Sequence, residues 1–222
     1  MGRSVFDPRY EELPDRLPVF PLPGALLLPG GRLPLNIFEP RYLAMIDAAL
    51  KGARLIGMIQ PQEAPETETG SRPLYEVGCA GRIVAFSEAD DGRYLVTLAG
   101  LARFRVAEEL AKDGNGFRWV RPDFAPFRRD LEDEAEALGD RETLLAALRA
   151  YFERFGLKTD WAAIEKAPNA KLVTSLAMLC PFEPSEKQAL LEAGSLTLRA
   201  EAMTTILQLA VHDDSELPSK PN

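Results

Sequence analysis

Apolar and polar residues alternate with a period of two along the first half of the chain, then shift to a helical period in the second. The clearest early segment is RIVAFSEADDGRYLVTLAGLARFRV, residues 82–106. Short aliphatic and aromatic runs at Ile83–Phe86 and Tyr94–Leu98 flank Asp91–Gly92, a pair that predicts a hairpin turn. Gly100 breaks the run, and Ala102–Val106 resumes it as a further strand. There Arg103 and Arg105 point to one side, Phe104 and Val106 to the other. The same criteria predict strands at Val19–Leu22, Leu26–Leu28, Leu33–Ile37, Leu55–Gln60, Val77–Gly81 and Phe117–Val120. One helix interrupts them: Pro40 suits its first turn, Leu43, Ile46 and Leu50 share a face, and Gly52 offers a left-handed C-cap. Gln60–Pro73 is polar and proline-bearing and reads as an exposed loop.

Beyond about Pro126 the spacing is helical. Leu138, Leu144 or Leu145, Leu148, Tyr151, Phe152 and Phe155 recur every three or four residues, acidic residues crowd the start, and Gly156 ends the run. Shorter helices follow: one opened by Asp160, one from about Asn169 to Leu179, and one opened by Ser185 with Gln188 at capping-box spacing and Gly194 at its end. The last runs from about Leu196 to Val211, with Leu198, Met203 or Ala202, Ile206, Leu209 and Ala210 on its buried side. A polar tail, HDDSELPSKPN, closes the sequence. Strands followed by helices, without alternation, predict an α+β chain or two subdomains, 1–124 rich in β-structure and 125–222 helical.

Residues 17–42 combine a core-like content of leucine with Pro18, Pro21, Pro23, Pro29, Pro34 and Pro40. Proline lacks the N–H that a sheet ladder needs, so the segment suits the edges, bulges and corners of a small barrel. Net charge is −8, which argues against nucleic acid and anionic membrane as partners. The N-terminal residues resemble no signal peptide and no apolar run reaches 18 residues, so the expected location is cytoplasmic, with Cys79 and Cys180 as buried thiols.

Catalytic signals are missing where they would be sought. There is no phosphate-binding glycine loop, no Gly-x-Ser-x-Gly elbow and no Ser-x-x-Lys pair. The lone His212 sits beside Asp213 and Asp214 near the end, and two distant cysteines with one histidine make no zinc set. The expectation is therefore a non-enzymatic chain with no catalytic residue, no cofactor and no metal. Phe38, Arg41 and Tyr42 stand at a strand-to-helix junction and are the candidate binding residues. The competing reading packs Phe38 and Tyr42 into the barrel and pairs Arg41 with a nearby acid.

The segments LPVFPL (17–22), FEPRY (38–42), LIGMIQP (55–61), VGCAGRIVAF (77–86), DGRYLVTLAGLARFRV (91–106) and LVTSLAMLCPFEPSEKQALLE (172–192) resemble, in order and spacing, the N-terminal substrate-binding domain of Lon protease. The resemblance extends from about residue 17 to 211. It implies a PUA-like β pseudo-barrel with one helix, followed by a helical bundle, and a free-standing domain without ATPase or peptidase modules. The function so implied is non-catalytic binding of protein or peptide. Its partners would be unfolded or extended polypeptide, a protease or its substrates. Two other readings stay open: RNA binding, which PUA-like folds often perform, and an enzyme with an unrecognised site. A basic stripe formed by Arg103, Arg105, Arg118 and Arg121 would favour RNA.

Overall fold

The computed structural model describes residues 4–66, 71–111, 114, 116–132 and 138–212. Within them run strands β1 (Leu17–Pro21) and β2 (Arg32–Ile37), helix α1 (Pro40–Lys51), then strands β3 (Leu55–Ile59), β4 (Val77–Glu88), β5 (Tyr94–Leu110) and β6 (Arg118–Asp123). Helices α2 (Arg141–Arg154), α3 (Trp161–Lys166), α4 (Asn169–Leu179), α5 (Pro184–Glu192) and α6 (Leu196–His212) follow. The α+β order and the strand-to-helix sequence are as the periodicity predicted.

The strands close on themselves. Their order is β2-β5-β4-β3-β1-β6, and β6 also pairs with β5, so β1, β3, β4, β5 and β6 form a ring. The length of β5 makes this possible. Its first part, Tyr94–Ala99, pairs with β2, and its second, Arg105–Leu110, with β6. β1 is central, parallel to β3 through Val19–Pro21 and antiparallel to β6 through Leu17–Val19. Only Val19 has a partner on both sides, so Pro18 and Pro21 each face a single neighbouring strand. Pro34 lies on β2, which pairs with β5 alone. Each of these prolines thus has only one neighbouring strand with which a ladder bond could be missed.

Gly100 does not end a strand, nor does Gly81: β4 and β5 each run unbroken past them. The run Leu26–Leu28 is no strand either. It is a buried strap lying across both glycines. A Cβ at Gly100 would sit 2.0 Å from the Leu28 carbonyl oxygen, and one at Gly81 would sit 2.6 Å from Leu27. Glycine is required here for close approach. The Asp91–Gly92 hairpin forms as expected, with Gly92 at φ +82°.

Inside the ring, Leu17, Val19, Leu55, Ile59 and Val120 surround Phe104, whose ring covers Gly57 and Gly78. A second, larger apolar cluster runs from the outer side of the strands through α1 into α2, α4, α5 and α6. Polar bridges reinforce it. Arg103 is buried rather than solvated: it forms an ion pair with Asp130 at 2.8 Å and donates to the carbonyls of Leu191 and Ala193. Gln60 donates to the Pro184 carbonyl, Gln188 to that of Val77, and Lys187 to that of Gly24.

Several element ends differ from the sequence reading. Gly52 is not left-handed; Arg54 is, at φ 57°, and its N–H closes α1 on the Ala49 carbonyl. α2 starts at Arg141, capped by Asp140, while residues 133–137 lie outside the described set. α5 is capped by Glu183 and Glu186, because Pro184 already occupies the first helical position. In α6 the buried side is Leu196, Arg199, Ala200, Met203 and Leu207, which leaves Leu198 and Leu209 exposed. His212, the first residue of the polar tail, ends α6, and residues 213–222 lie outside the described set.

Candidate functional site

The helical half builds an apolar groove from three helices and the turn between two of them. α2 ends in a Schellman motif: Gly156, at φ +63°, donates to the Glu153 carbonyl, and Leu157 donates to that of Phe152. This motif sets Leu157 beside Phe152, and Phe152 and Phe155 form the first wall. Asp160 then caps α3 by accepting from the Ala163 N–H at 3.1 Å, and Ala163 and Ile164 form the opposite wall. Leu172, Leu176 and Leu179 of α4 supply the floor and one lip.

Pro181 explains why Leu179 stands at that lip. The residue before a proline is driven out of helical geometry, and Cys180 adopts φ −64°, ψ 142°. α4 therefore stops one turn after Leu176, and Leu179 is left 81% exposed. The groove encloses about 650 Å³. Tyr151, Leu172, Leu176 and Cys180 are buried at its base; Leu157 and Leu179 are exposed on its rim. Ring contacts stiffen the walls, with Tyr151 and Phe155 at 4.6 Å and Phe152 and Trp161 at 5.6 Å between centroids. Burial pushes the Tyr151 phenol up to about 12 and the Cys180 thiol up to about 11, so both are neutral at physiological pH. This is a surface for apolar contact rather than proton transfer. A volume of about 670 Å³ lies between residues 71–76 and the ends of β5 and β6, but its guanidinium, Arg118, is held by Glu109 and the Arg72 carbonyl.

The three residues singled out from the sequence sit elsewhere, at the junction of β2 and α1. Tyr42 is buried against Phe20 at 4.3 Å, and burial raises its phenol pKa. Arg41 lies over the Tyr42 ring and forms an ion pair with Glu39 at 2.7 Å. Phe38 is the one apolar side chain of the three that faces solvent, at 65% exposure, and the Arg41 side chain is half exposed beside its ion pair. Of the four arginines of the possible basic stripe, three are held in ion pairs: Arg103 with Asp130, Arg118 with Glu109 and Arg121 with Glu108. The groove itself was missed. Leu172, Leu176 and Leu179 mark a helical stripe, but the same stripe in a sequence describes any core helix.

Residues 16–208 match the family described as the ATP-dependent protease La (LON) substrate-binding domain. This chain belongs to that family. The LON domain match is supported by relatives. Lon protease 2 of Myxococcus xanthus is 30% identical over 200 residues, covering 89% of this chain and 24% of that protein. The Lon protease of Parabacteroides distasonis is 29% identical over 212 residues, 91% of this chain and 25% of that one. The chain thus spans about a quarter of the length of these relatives. In fold it is similar to the Lon N-terminal domain protein from Xanthomonas campestris, with a TM-score of 0.62 and 24% identity over 86% of this chain and 97% of that one. The N-terminal domain of a Mycobacterium avium complex Lon protease superposes with a TM-score of 0.56 at 16% identity, covering 86% of this chain and 97% of that one. A LON substrate-binding domain is a non-catalytic module. Among the described residues, no helix is long and apolar enough to cross a membrane.

Proposed function

We propose that this chain is a non-catalytic polypeptide-binding module that recognises extended or unfolded protein, acting beside a protease or on its substrates. The observation that carries the reading is the groove between α2, α3 and α4, with Leu179 exposed on its lip. Large side chains left open beside a formed apolar cavity suit the insertion of apolar side chains from a partner. The exposed Phe38 offers a second contact on the barrel side. The module hydrolyses neither ATP nor casein and needs no cofactor.

The test is an anisotropy titration of a labelled unfolded polypeptide without nucleotide, in parallel with a single-stranded RNA of similar mass. Peptide binding in the micromolar range, about −8 kcal/mol, is expected, because ordering a flexible chain opposes association. L179S removes an exposed leucine and so spares the fold. It should weaken binding at least about 10-fold if that side chain is buried by the peptide. RNA binding with a steep salt dependence, and no peptide binding, would overturn the reading in favour of the PUA-like analogy. The ion pairs that engage Arg103, Arg118 and Arg121 support the peptide over RNA.

A further inference from the structure

The rim of the groove differs in charge from the rest of the molecule. The chain carries a net charge of −8, yet the charged residues lining this groove are Lys158, Lys171 and Asp160. Asp160 is committed to the α3 N-terminus through its bond to the Ala163 N–H, where the helix dipole already offsets its charge. Lys158 follows the Schellman turn of α2 and Lys171 lies in the first turn of α4. Both are exposed, and among the described residues neither has an ion-pair partner. The nearby Arg149 and Glu165 neutralise each other. An apolar slot is thus flanked by two available ammonium groups on an acidic protein.

We propose that the groove selects apolar polypeptide segments flanked by acidic residues. The inference rests on the peptide-binding reading above and adds the chemistry of the segment. Leucine or aromatic side chains enter between Phe152, Ile164 and Leu179, while Asp or Glu on either side of them meets Lys158 and Lys171. The overall negative charge of the protein disfavours such segments everywhere else on its surface, so the preference is confined to this place. Basic-flanked segments meet two like charges and are rejected there.

Three labelled peptides of about a dozen residues, with one shared leucine- and phenylalanine-rich centre and flanks of Asp, Ser or Lys, test this with the full chain. At about 50 mM salt the Asp-flanked peptide should bind roughly 10-fold more tightly than the Lys-flanked one. That ratio should fall toward 2-fold at about 500 mM, because exposed ion pairs are weak and screened. K158S/K171S should bind the three peptides alike, with circular dichroism confirming that the variant is folded. Equal affinity of the three peptides for the unmodified protein overturns this proposal and leaves the peptide reading in place. No binding of any peptide overturns both. A preference that survives K158S/K171S, or undiminished binding of the Asp-flanked peptide by L179S, places the site elsewhere and overturns it. A concentration-dependent dimer that L179S dissociates would assign the groove to a second copy of this chain, which also overturns it.

Discussion

Asp130→Asn should loosen the join between strands and helices by a measurable amount. Asp130 accepts the Nε and Nη2 donors of Arg103, each at 2.8 Å, and the Arg103 backbone N–H at 2.9 Å. The two side chains are 10% and 7% exposed, and the same guanidinium reaches the Leu191 and Ala193 carbonyls that end α5. Asparagine leaves the guanidinium charge buried without a counter-charge, a defect that costs about 3–5 kcal/mol. For a chain of this size that corresponds to a fall in Tm of about 6–20 °C. Trp119 on β6 and Trp161 on α3 report the two sides separately in W161F and W119F backgrounds. With the pair intact both should follow one urea transition, because a single apolar cluster runs from the strands into the helices. In D130N the Trp161 signal should be lost first. R103M/D130N removes both charges while the asparagine oxygen can still accept the backbone N–H of position 103. It should be less destabilised than the two single changes added together by about 1.5 kcal/mol or more. A D130N protein within about 1 kcal/mol of the parent, or simple additivity, would refute the reasoning.

Gly100→Ala should destabilise by about 2 kcal/mol or more, since its Cβ would meet the backbone oxygen of Leu28 rather than a movable side chain; a normal urea midpoint would contradict the strap. Stability should also fall as pH rises above about 9. Burial raises the thiols of Cys79 and Cys180 in the folded state, the latter to about 11, so between the unfolded value and the folded one the unfolded chain holds fewer protons. Unfolding is then favoured by up to about 1.4 kcal/mol per pH unit per thiol. Urea midpoints from pH 8 to 11 check this, and C180A should flatten the decline; a flat profile in the parent would show that the thiols titrate freely.

The change of period near residue 125 and the position of each helix were legible because amphipathic spacing and turn residues are local signals. What failed was long-range. Gly100 breaks a hydrophobic run on paper, yet its role is to admit Leu28 from seventy residues away, and no local pattern separates those two meanings. Leu26–Leu28 satisfies the criteria for a strand but pairs with none, and instead crosses Gly81 and Gly100 as a buried strap. Arg103 follows the alternation of β5, but the side it points to is covered by α5 rather than by water. The α6 reading failed in the same way: it placed Leu198 and Leu209 inside, where a buried Arg199 instead donates to the Leu190 carbonyl. As for binding, FEPRY marks a real corner of the fold, with Tyr42 in the core and Phe38 outside. The groove depends on how α2, α3 and α4 meet, which their separate sequences do not state.

The way β1 is shared between β3 and β6 also sets a timetable for the ribosome. β1 is made first, can pair with β3 some forty residues later, and must wait for residues 118–120 before its other edge is covered. At roughly 5–20 residues per second, about a hundred residues of translation leave that edge open for about 5–20 seconds. An apolar strand exposed for so long is a template for pairing with other nascent chains. Pro18 sits on the waiting edge, opposite the future place of Trp119, and Pro21 ends the strand. A strand containing prolines offers a poor ladder to a stranger, so the residues that look least suited to a barrel guard its oldest part until the ring can close.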